Sequence, residues 1–256
     1  AWNPSAPGAN IQSIVINGND IYVGGAIVSV GGQECYHVAR LNNTNGAADG
    51  TWKPTPSTYS VRAIAVQNND VYIGGDFVSV GGLYLKNLVR FNNATGLIDA
   101  AFAPNPNFRL NTLAISGSDL YIGGDFTNVA GQTRNRLAKL TKTSGALNTT
   151  WNPNASSSVY SIAITGSDIY IGGDFTTVGG QTRNRIAKLN NTTGAANAGW
   201  NPNANNEVSS LIVSGNDIYA GGSFTNIGSL TRNRLAKLNN TTGGADPNWN
   251  FDANST

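Results

Sequence analysis

The sequence predicts an all-β fold, a five-bladed β-propeller with four antiparallel strands per blade, because two markers recur at one period. A tyrosine within stretches such as "IYIGGDF" recurs at steps of 50, 49, 49 and 49 residues, at Tyr22, Tyr72, Tyr121, Tyr170 and Tyr219. An aromatic residue keeps the same period, at Trp2, Trp52, Phe102, Trp151, Trp200 and Trp249. Periods of roughly 20–50 residues are typical of solenoids, propellers and arrays, so the ~49-residue repeat indicates five blades.

Four strands are predicted within each repeat, and the fourth copy shows them. "SVYSIAIT" (158–165) alternates and is rich in β-branched residues, as a strand would be. "GSD" then closes a hairpin with "IYIGGDFTTV" (169–178), whose glycine pair suggests a bulge or close backbone packing. "RNRIAKLN" (183–190) is the third strand, and the segment around Trp200 is the fourth, with Pro202 marking a sheet edge. No segment shows a sustained helical period.

The repeats fill the whole chain, so we expect one propeller domain spanning residues 1–256. Trp2 and Trp249 occupy equivalent positions, which leaves one marker more than five repeats need. We favour a closed ring, in which one terminus of the chain supplies a strand to the blade that the other terminus begins, because closure protects sheet edges. The alternative is an open or longer array. The five repeats and the surplus terminal strand are 2–51, 52–101, 102–150, 151–199, 200–248 and 249–256.

Composition limits the classes of partner. Charged residues make up 12% of the chain, the net charge is +2 and the basic residues are dispersed, so we expect no nucleic-acid partner. No apolar run approaches the roughly 20 residues that a membrane helix needs, and we expect no membrane insertion. Cys35 is the only cysteine, which excludes an internal disulfide and a cysteine metal cluster. The chain starts at Ala1 without any methionine, and we take it to be a processed or trimmed segment.

The stretch "IYIGGDFTTVGGQTRNRIAKLNNTTGAANAGWNPNAN" (169–205) resembles the bacterial β-propeller repeats often called delta-sixty repeats. The resemblance covers nearly the whole chain and is strongest in repeats three to five. It is weakest in repeat one, where Cys35-Tyr36-His37 replaces the Arg-Asn-Arg triplet. The resemblance implies the propeller fold and a secreted or surface-exposed bacterial protein. It supplies no catalytic residues.

Catalytic chemistry finds little support in the repeat pattern. Most of the 14 carboxylates fall at positions that recur from repeat to repeat, and such rings of equivalent residues are usually structural. General acid–base catalysis needs two titratable groups whose environments shift their pKa values apart, and the sequence nominates no such pair. His37 is the sole histidine, whereas zinc and similar ions usually require two or three. We therefore expect no enzymatic activity, no cofactor and no metal.

Repeated arginines form the first candidate ligand site. Each of the last three repeats carries two arginines separated by one residue, which we expect to project from one face of a strand. One interpretation is that an arginine of each pair fixes blade register by pairing with a carboxylate of a turn or of the Gly-Gly-Asp motif. The other is ligand contact at a central channel. The candidate residues are Arg134, Arg183 and Arg232, each followed two positions later by Arg136, Arg185 or Arg234.

Repeated tryptophans form the second candidate site. As structural residues they would pack between neighbouring blades. As ligand-binding residues they would stack on a sugar ring while nearby asparagines, as in "WNPNAN", bind its hydroxyls. Several weak equivalent pockets would then gain strength through multivalency. The candidates are Trp52, Trp151, Trp200 and Trp249.

Taken together, these features predict a non-enzymatic structural scaffold or protein-interaction module of a secreted or surface-exposed bacterial protein. The alternative is a multivalent glycan-binding propeller. Expected partners are proteins or further copies of the chain, with cell-surface glycans as the alternative ligands. Any special contact is expected where repeats one and two depart from the pattern, at Glu34–His37 or Leu83–Lys86.

Overall fold

The computed structural model describes residues 2–57, 60–251 and 253. Within these residues the chain forms 23 β-strands and no helix. The strands in chain order are β1 (Asn10–Asn17), β2 (Asp20–Ala26), β3 (Ser29–Val30), β4 (Gln33–Glu34), β5 (Val38–Asn42), β6 (Val61–Gln67), β7 (Asp70–Gly75), β8 (Leu88–Asn92), β9 (Leu110–Ser116), β10 (Asp119–Gly124), β11 (Asn128–Val129), β12 (Gln132–Thr133), β13 (Leu137–Thr141), β14 (Val159–Thr165), β15 (Asp168–Gly173), β16 (Thr177–Val178), β17 (Gln181–Thr182), β18 (Ile186–Asn190), β19 (Val208–Ser214), β20 (Asp217–Gly222), β21 (Asn226–Ile227), β22 (Leu230–Thr231) and β23 (Leu235–Asn239).

Each repeat contributes one antiparallel three-stranded sheet. The sheets among the described residues are β1-β2-β5, β6-β7-β8, β9-β10-β13, β14-β15-β18 and β19-β20-β23. The first two predicted strands of repeat four therefore form as a hairpin, with Thr165 opposite Asp168 across a two-residue loop. The second strand is shorter than predicted and ends at Gly173, after which the chain enters the small hairpin β16-β17.

The fourth strand predicted around Trp200 does not form. Residues 198–204 lie outside any strand, and the outer edge of the sheet is instead paired at a single bridge between Leu189 and Ala196. Just after this bridge, the side-chain oxygen of Asn197 accepts the backbone N–H of Trp200 at 3.1 Å. This hydrogen bond turns the chain away from the sheet edge before a strand can extend. The same single bridge recurs in the other four repeats.

The two glycine pairs of the repeat serve different purposes. In the first pair, a Cβ on Gly172 would lie 2.8 Å from Cγ1 of Val208 in the next repeat. A Cβ on Gly173 would overlap the carbonyl oxygen of Ser158, beside a register shift in the hairpin. The predicted bulge and close packing are thus both present. The second pair, Gly179 (φ 59°) and Gly180 (φ 77°), forms a left-handed two-residue turn that closes β16-β17.

The hydrophobic core lies mainly between successive repeats. The cluster of repeat five, for example, joins Val208, Leu211 and Phe224 to Tyr170 and Ile186 of repeat four. The first strand of each repeat also contacts the first strand of the next, as expected for blades arranged around an axis. Burying apolar side chains between neighbours makes each repeat depend on the adjacent one, as in other repeat proteins.

The array is open between its first and last repeats. Ile14 of β1 is 61% exposed, whereas three of its equivalents, Ile64, Ile162 and Leu211, are only 5%, 8% and 6% exposed and the fourth, Leu113, is partly buried. The difference arises because each buried residue is covered by the preceding repeat, as Ile64 is by Gly24, whereas no repeat covers Ile14 in the part of the chain that the structure describes. The arrangement in the structure is therefore the open array rather than the closed ring. In the predicted terminal strand, residues 249–251 and 253 form no strand, and 252 and 254–256 lie outside the described residues.

Candidate functional site

Three of the four candidate tryptophans are buried between repeats. Trp52, Trp151 and Trp200 each lie edge-on to the tyrosine of the preceding repeat, with ring centroids 5.2–5.6 Å apart. This is a favourable aromatic arrangement, and it leaves no indole face open to a sugar. Trp249 makes the same contact with Tyr219 at 5.5 Å but is only partly buried.

The asparagines beside these tryptophans are also used within the fold. Asn154 and Asn203 adopt left-handed backbone conformations with φ of 54°. Their side-chain oxygens accept hydrogen bonds from Asn135 and Asn184 of the preceding repeat, both at 2.7 Å. The "WNPN" segment is thereby held against its neighbour by an aromatic contact and an amide hydrogen bond, which uses the side-chain oxygens of Asn154 and Asn203.

The candidate arginines Arg134, Arg183 and Arg232 are buried and bind backbone carbonyls. Arg183 donates from Nη1 to Thr182 O at 2.7 Å and from Nη2 to Asn197 O at 2.7 Å, and the other two make equivalent bonds. Burial lowers the pKa of Arg183. The expectation of a carboxylate partner is therefore wrong for these three residues. Each arginine instead ties the loop before the outer strand to the segment that follows it, because a guanidinium supplies several donors at once.

The second arginine of each pair lies in a loop and does not share a strand face with the first. Arg136, Arg185 and Arg234 all have left-handed φ values, of 64°, 65° and 65°. Only Arg185 approaches a Gly-Gly-Asp carboxylate, with its Nε 3.9 Å from Oδ1 of Asp174. His37 occupies the same left-handed position in repeat one, with φ of 66°. What the residues at this position have in common is therefore the left-handed backbone conformation, and not the charge of the side chain.

A different basic residue links each repeat to the next. Lys188, on the outer strand β18, binds Asp168 at 2.7 Å and also donates to Asn240 O in the turn of repeat five at 3.2 Å. Tyr170 donates to the same carbonyl at 3.2 Å. Burial alone would lower the pKa of Lys188, but its bonds to Asp168 and Tyr170 outweigh burial and raise it. The lysine is therefore held charged against its neighbour.

Sequence reasoning missed this link, although a signal was present. A basic residue recurs at this position in all five repeats, whereas the arginine pair occurs in only three. A residue that is basic in every copy fits an obligatory contact better than one that is basic in some. The five residues are Arg40, Arg90, Lys139, Lys188 and Lys237.

Residues that differ between repeats cluster at one end of the first strands. The second residue of the first strand is Arg62, Asn111 or Tyr160 in repeats two to four, and each reaches the aspartate of its own Gly-Gly-Asp motif. Arg62 binds Asp76 at 2.9 Å, Tyr160 donates to Asp174 at 2.9 Å, and Asn111 is 3.4 Å from Asp125. These partly buried side chains therefore differ in chemistry but share the same intramolecular partner.

Between repeats two and three this end forms a groove, which we call the inner-end groove. Its exposed aromatic residue is Phe108, which is 56% exposed and lies under the guanidinium of Arg109 at 5.9 Å. Arg109 in turn binds Asp125. Sequence reasoning did not nominate this groove, although Phe108-Arg109 departs from the Ser-Ser found at the same place in repeat four. The lining residues are Asp76, Val78, Asn87, Asn107, Phe108 and Arg109.

The divergent segments of repeats one and two do not assemble acid–base chemistry. Burial raises the pKa of the Cys35 thiol to about 11, which disfavours the reactive thiolate. Burial also lowers the pKa of His37, and its Nδ1 has no hydrogen-bond partner among the described residues. In repeat two, Leu85 is buried at the position that Arg134, Arg183 and Arg232 occupy in repeats three to five, while Leu83 and Tyr84 are exposed.

No helix in the described part of the chain is long and apolar enough to span a membrane.

Comparison with known proteins agrees with the repeat architecture. The chain is similar to the computationally designed Ika8 protein, with a TM-score of 0.62 and 12% identity over 92% of this chain and 60% of that one. It is also similar to a chain of the Mitotic Checkpoint Complex, with a TM-score of 0.65 and 15% identity over 98% of this chain and 68% of that one. At these identities the likeness concerns the fold alone. The chain spans less than two thirds of Ika8, and no curated protein sequence matches it.

A family profile matches the chain once in every repeat. The family is described as domain of unknown function (DUF5122) beta-propeller, and the matched residues are 19–51, 67–102, 119–150, 168–196 and 216–253. These segments contain the tyrosine, the Gly-Gly motif and the outer strand of each sheet. They cover more than half of the sequence, and the chain therefore belongs to this DUF5122 β-propeller family.

Proposed function

We propose that the protein is a non-enzymatic, rigid protein-interaction module of a secreted or surface-exposed bacterial protein. In this proposal each repeat is one of five blades, of the delta-sixty type, with the fourth strand reduced to the single outer bridge. The observation that carries it is a division of roles. The repeated aromatic and basic side chains are used mainly in contacts within and between repeats, whereas Phe108 and Val78, at positions that vary between repeats, are exposed at one end of the first strands.

The inner-end groove is the surface that we assign to partner binding. Phe108 and Val78 offer exposed apolar area. Beside it, Arg109 is bound through Nε to Asp125, so a partner would share this guanidinium through its Nη groups, and Asp76 is bound by Arg62. Exposed aromatic and arginine residues are enriched at protein interfaces, where the ring supplies area and the guanidinium supplies orientation. A complementary partner is a peptide segment that carries an apolar side chain next to an acidic one.

Replacing Phe108 by alanine and Arg109 by glutamate should weaken peptide binding to the groove. We expect the wild-type chain to retain apolar–acidic peptides from an array of 15-residue peptides, and the double variant to bind them at least tenfold more weakly. The physical reason is that both anchors are lost and the charge is reversed. The matched control is Ser157→Ala with Ser158→Ala, the same positions in repeat four. Equal peptide binding by both variants, or no peptide retained by the wild type, would overturn the assignment of the groove.

The extracellular location rests on the resemblance of the repeats to secreted and surface proteins. It is tested in the source organism by treating intact cells with protease and probing with an antibody raised against the chain. Loss of the protein from intact cells, or its presence in the medium, supports a surface or secreted location. Survival of the protein until the cells are lysed contradicts it.

Glycan binding remains a second candidate because two tryptophans are not buried, Trp2, which is 48% exposed, and the candidate Trp249. Trp249 is partly exposed and is followed by the exposed Asn250, whereas the buried Trp52, Trp151 and Trp200 do not provide the several equivalent pockets that multivalent binding needs. If the protein binds glycans through stacking, Trp249→Ala should remove the signal on a glycan array. Binding that survives this substitution excludes Trp249, and no binding to any glycan excludes the candidate function.

A further inference from the structure

A buried guanidinium occupies the same space in repeats three, four and five. In repeat four, Arg183 donates to Thr182 O and to Asn197 O, both at 2.7 Å. Arg134 and Arg232 bind the equivalent pair of carbonyls in their own repeats. A guanidinium suits this place because its several N–H donors can bind both carbonyls at once. The two carbonyls of each repeat thus form a site that holds an arginine side chain.

Repeat one has the same backbone around this site but lacks the guanidinium, because Cys35 stands in place of the arginine. Cys35 N donates to Val28 O at 2.9 Å and Asp49 N donates to Arg40 O at 2.8 Å, and repeat four has the equivalent bonds at the same lengths. The carbonyls of Glu34 and Asp49 correspond to the two that bind the arginine in repeat four. Among the described residues, no side chain donates to either of them.

A cleft, which we call the Cys35 cleft, lies beside this short side chain. Its lining includes Glu34 and Asp49, which carry the two carbonyls, and the buried Cys35 and Trp52. In repeat two, by contrast, the bulkier Leu85 is buried at the position of Cys35. A leucine fills space but donates no hydrogen bond. Repeat one therefore combines the acceptors with room for a donor that comes from outside the repeat.

The rim of the Cys35 cleft suits a cation that has a flat face. Glu34 is exposed, and no described residue binds its carboxylate. Tyr36 is 55% exposed and offers an aromatic face, on which a guanidinium stacks favourably. Lys53, also exposed on the rim, is the opposing charge. A guanidinium can bind the carbonyls, the carboxylate and the ring together, whereas an ammonium is a point charge without a plane.

We propose that the Cys35 cleft binds the guanidinium of an arginine side chain from a partner protein. The partner would supply from outside what three of the repeats supply from their own sequence, with donors to the carbonyls of Glu34 and Asp49 and with the outer part of the side chain against Tyr36. This inference goes beyond the proposed peptide binding at the inner-end groove. The cleft lies on repeat one, shares no lining residue with the groove and selects a basic instead of an acidic partner.

The test titrates the capped tripeptide acetyl-Gly-Arg-Gly-amide into the wild-type chain while NMR follows the backbone amides of Cys35 and Asp49. We expect saturable shifts at both residues. The citrulline tripeptide should bind at least fivefold more weakly, because it replaces the charged guanidinium by a neutral urea of the same length. Methylguanidinium should also bind more weakly than the arginine tripeptide, because it lacks the stem that lies against Tyr36.

Substitutions at Cys35 give a second, independent readout. Cys35→Arg should place a guanidinium in the cleft from within the chain, as in repeat four, and should abolish binding of the arginine tripeptide. It should also raise the unfolding midpoint by about 3 °C, because the two carbonyls gain hydrogen bonds. Cys35→Ser is the matched control: it keeps the side chain short, leaves the cleft open and should retain binding.

The outcomes separate the possible occupants of the Cys35 cleft. Binding that is lost in Cys35→Arg and kept in Cys35→Ser supports the proposal. The absence of saturable shifts in the wild-type chain overturns it, because the cleft then holds water alone. Equal binding of the arginine and citrulline tripeptides overturns the guanidinium as the ligand, and equal binding of methylguanidinium and the arginine tripeptide overturns a partner protein as its source. Peptide binding at the inner-end groove is measured with other peptides and other variants, so failure of one proposal is distinguishable from failure of the other.

Discussion

Replacing Trp200 by alanine is expected to lower the free energy of unfolding by about 3–5 kcal/mol, the usual cost of removing a buried tryptophan. The indole is fully buried in the core that repeats four and five share, and it packs edge-on against Tyr170. Its N–H also donates to Asn239 O at 3.0 Å, so truncation removes one of the hydrogen bonds to that carbonyl, which still accepts from Gly243 N, as well as opening a cavity. Urea denaturation followed by far-ultraviolet circular dichroism measures the loss.

Trp249→Ala is the matched control for this prediction. Trp249 occupies the equivalent position and makes the equivalent tyrosine contact, but it is only partly buried because no further repeat covers it. We expect its removal to cost about 1 kcal/mol or less. Equal losses for the two variants would contradict the assignment of repeat interfaces as the main core. A Trp200→Ala variant as stable as the wild type would contradict it equally.

The strands of the repeat could be predicted because their signals are local. Alternation of apolar and polar residues places β14, and the position of the Gly-Ser-Asp turn places β15. The fourth strand could not be placed in this way. The segment around Trp200 is extended by composition, but its course is set by the hydrogen bond that its backbone N–H donates to the side-chain oxygen of Asn197 and by burial against the preceding repeat. Tertiary contacts override local propensity there.

The candidate site was harder to predict because residue type does not specify the partner. A repeated arginine can bind a carboxylate, a ligand or a backbone carbonyl. The partners of Arg183 are backbone carbonyls, because the loop around it presents those acceptors. That the array is open was equally hard to predict from the sequence. The angle between neighbouring repeats depends on packing across their interfaces, such as that of Gly172 with Val208. The inner-end groove had a visible signal, since Phe108-Arg109 stands where repeat four has Ser157-Ser158.

Replacing Gly173 by alanine is expected to lower the free energy of unfolding by about 3 kcal/mol, near the upper end of the usual cost of overpacking. The new Cβ would overlap the carbonyl oxygen of Ser158 on the neighbouring strand, and a backbone atom has no alternative rotamer to adopt. The strand would have to separate from its partner at the register shift. Thermal and urea denaturation measure the effect. The same overlap recurs at Gly25, Gly75, Gly124 and Gly222.

Gly180 is the informative contrast, because it is required for conformation and not for space. Its φ is 77°, and a Cβ there would have no atom within 4 Å. Gly180→Ala should therefore cost about 1 kcal/mol, and Gly180→Asn should recover part of that loss since asparagine tolerates the left-handed conformation. At Gly173 asparagine should be at least as harmful as alanine, because the larger side chain relieves nothing. If asparagine rescued position 173, or failed to improve on alanine at 180, the two glycine pairs would not have the separate roles that the structure gives them.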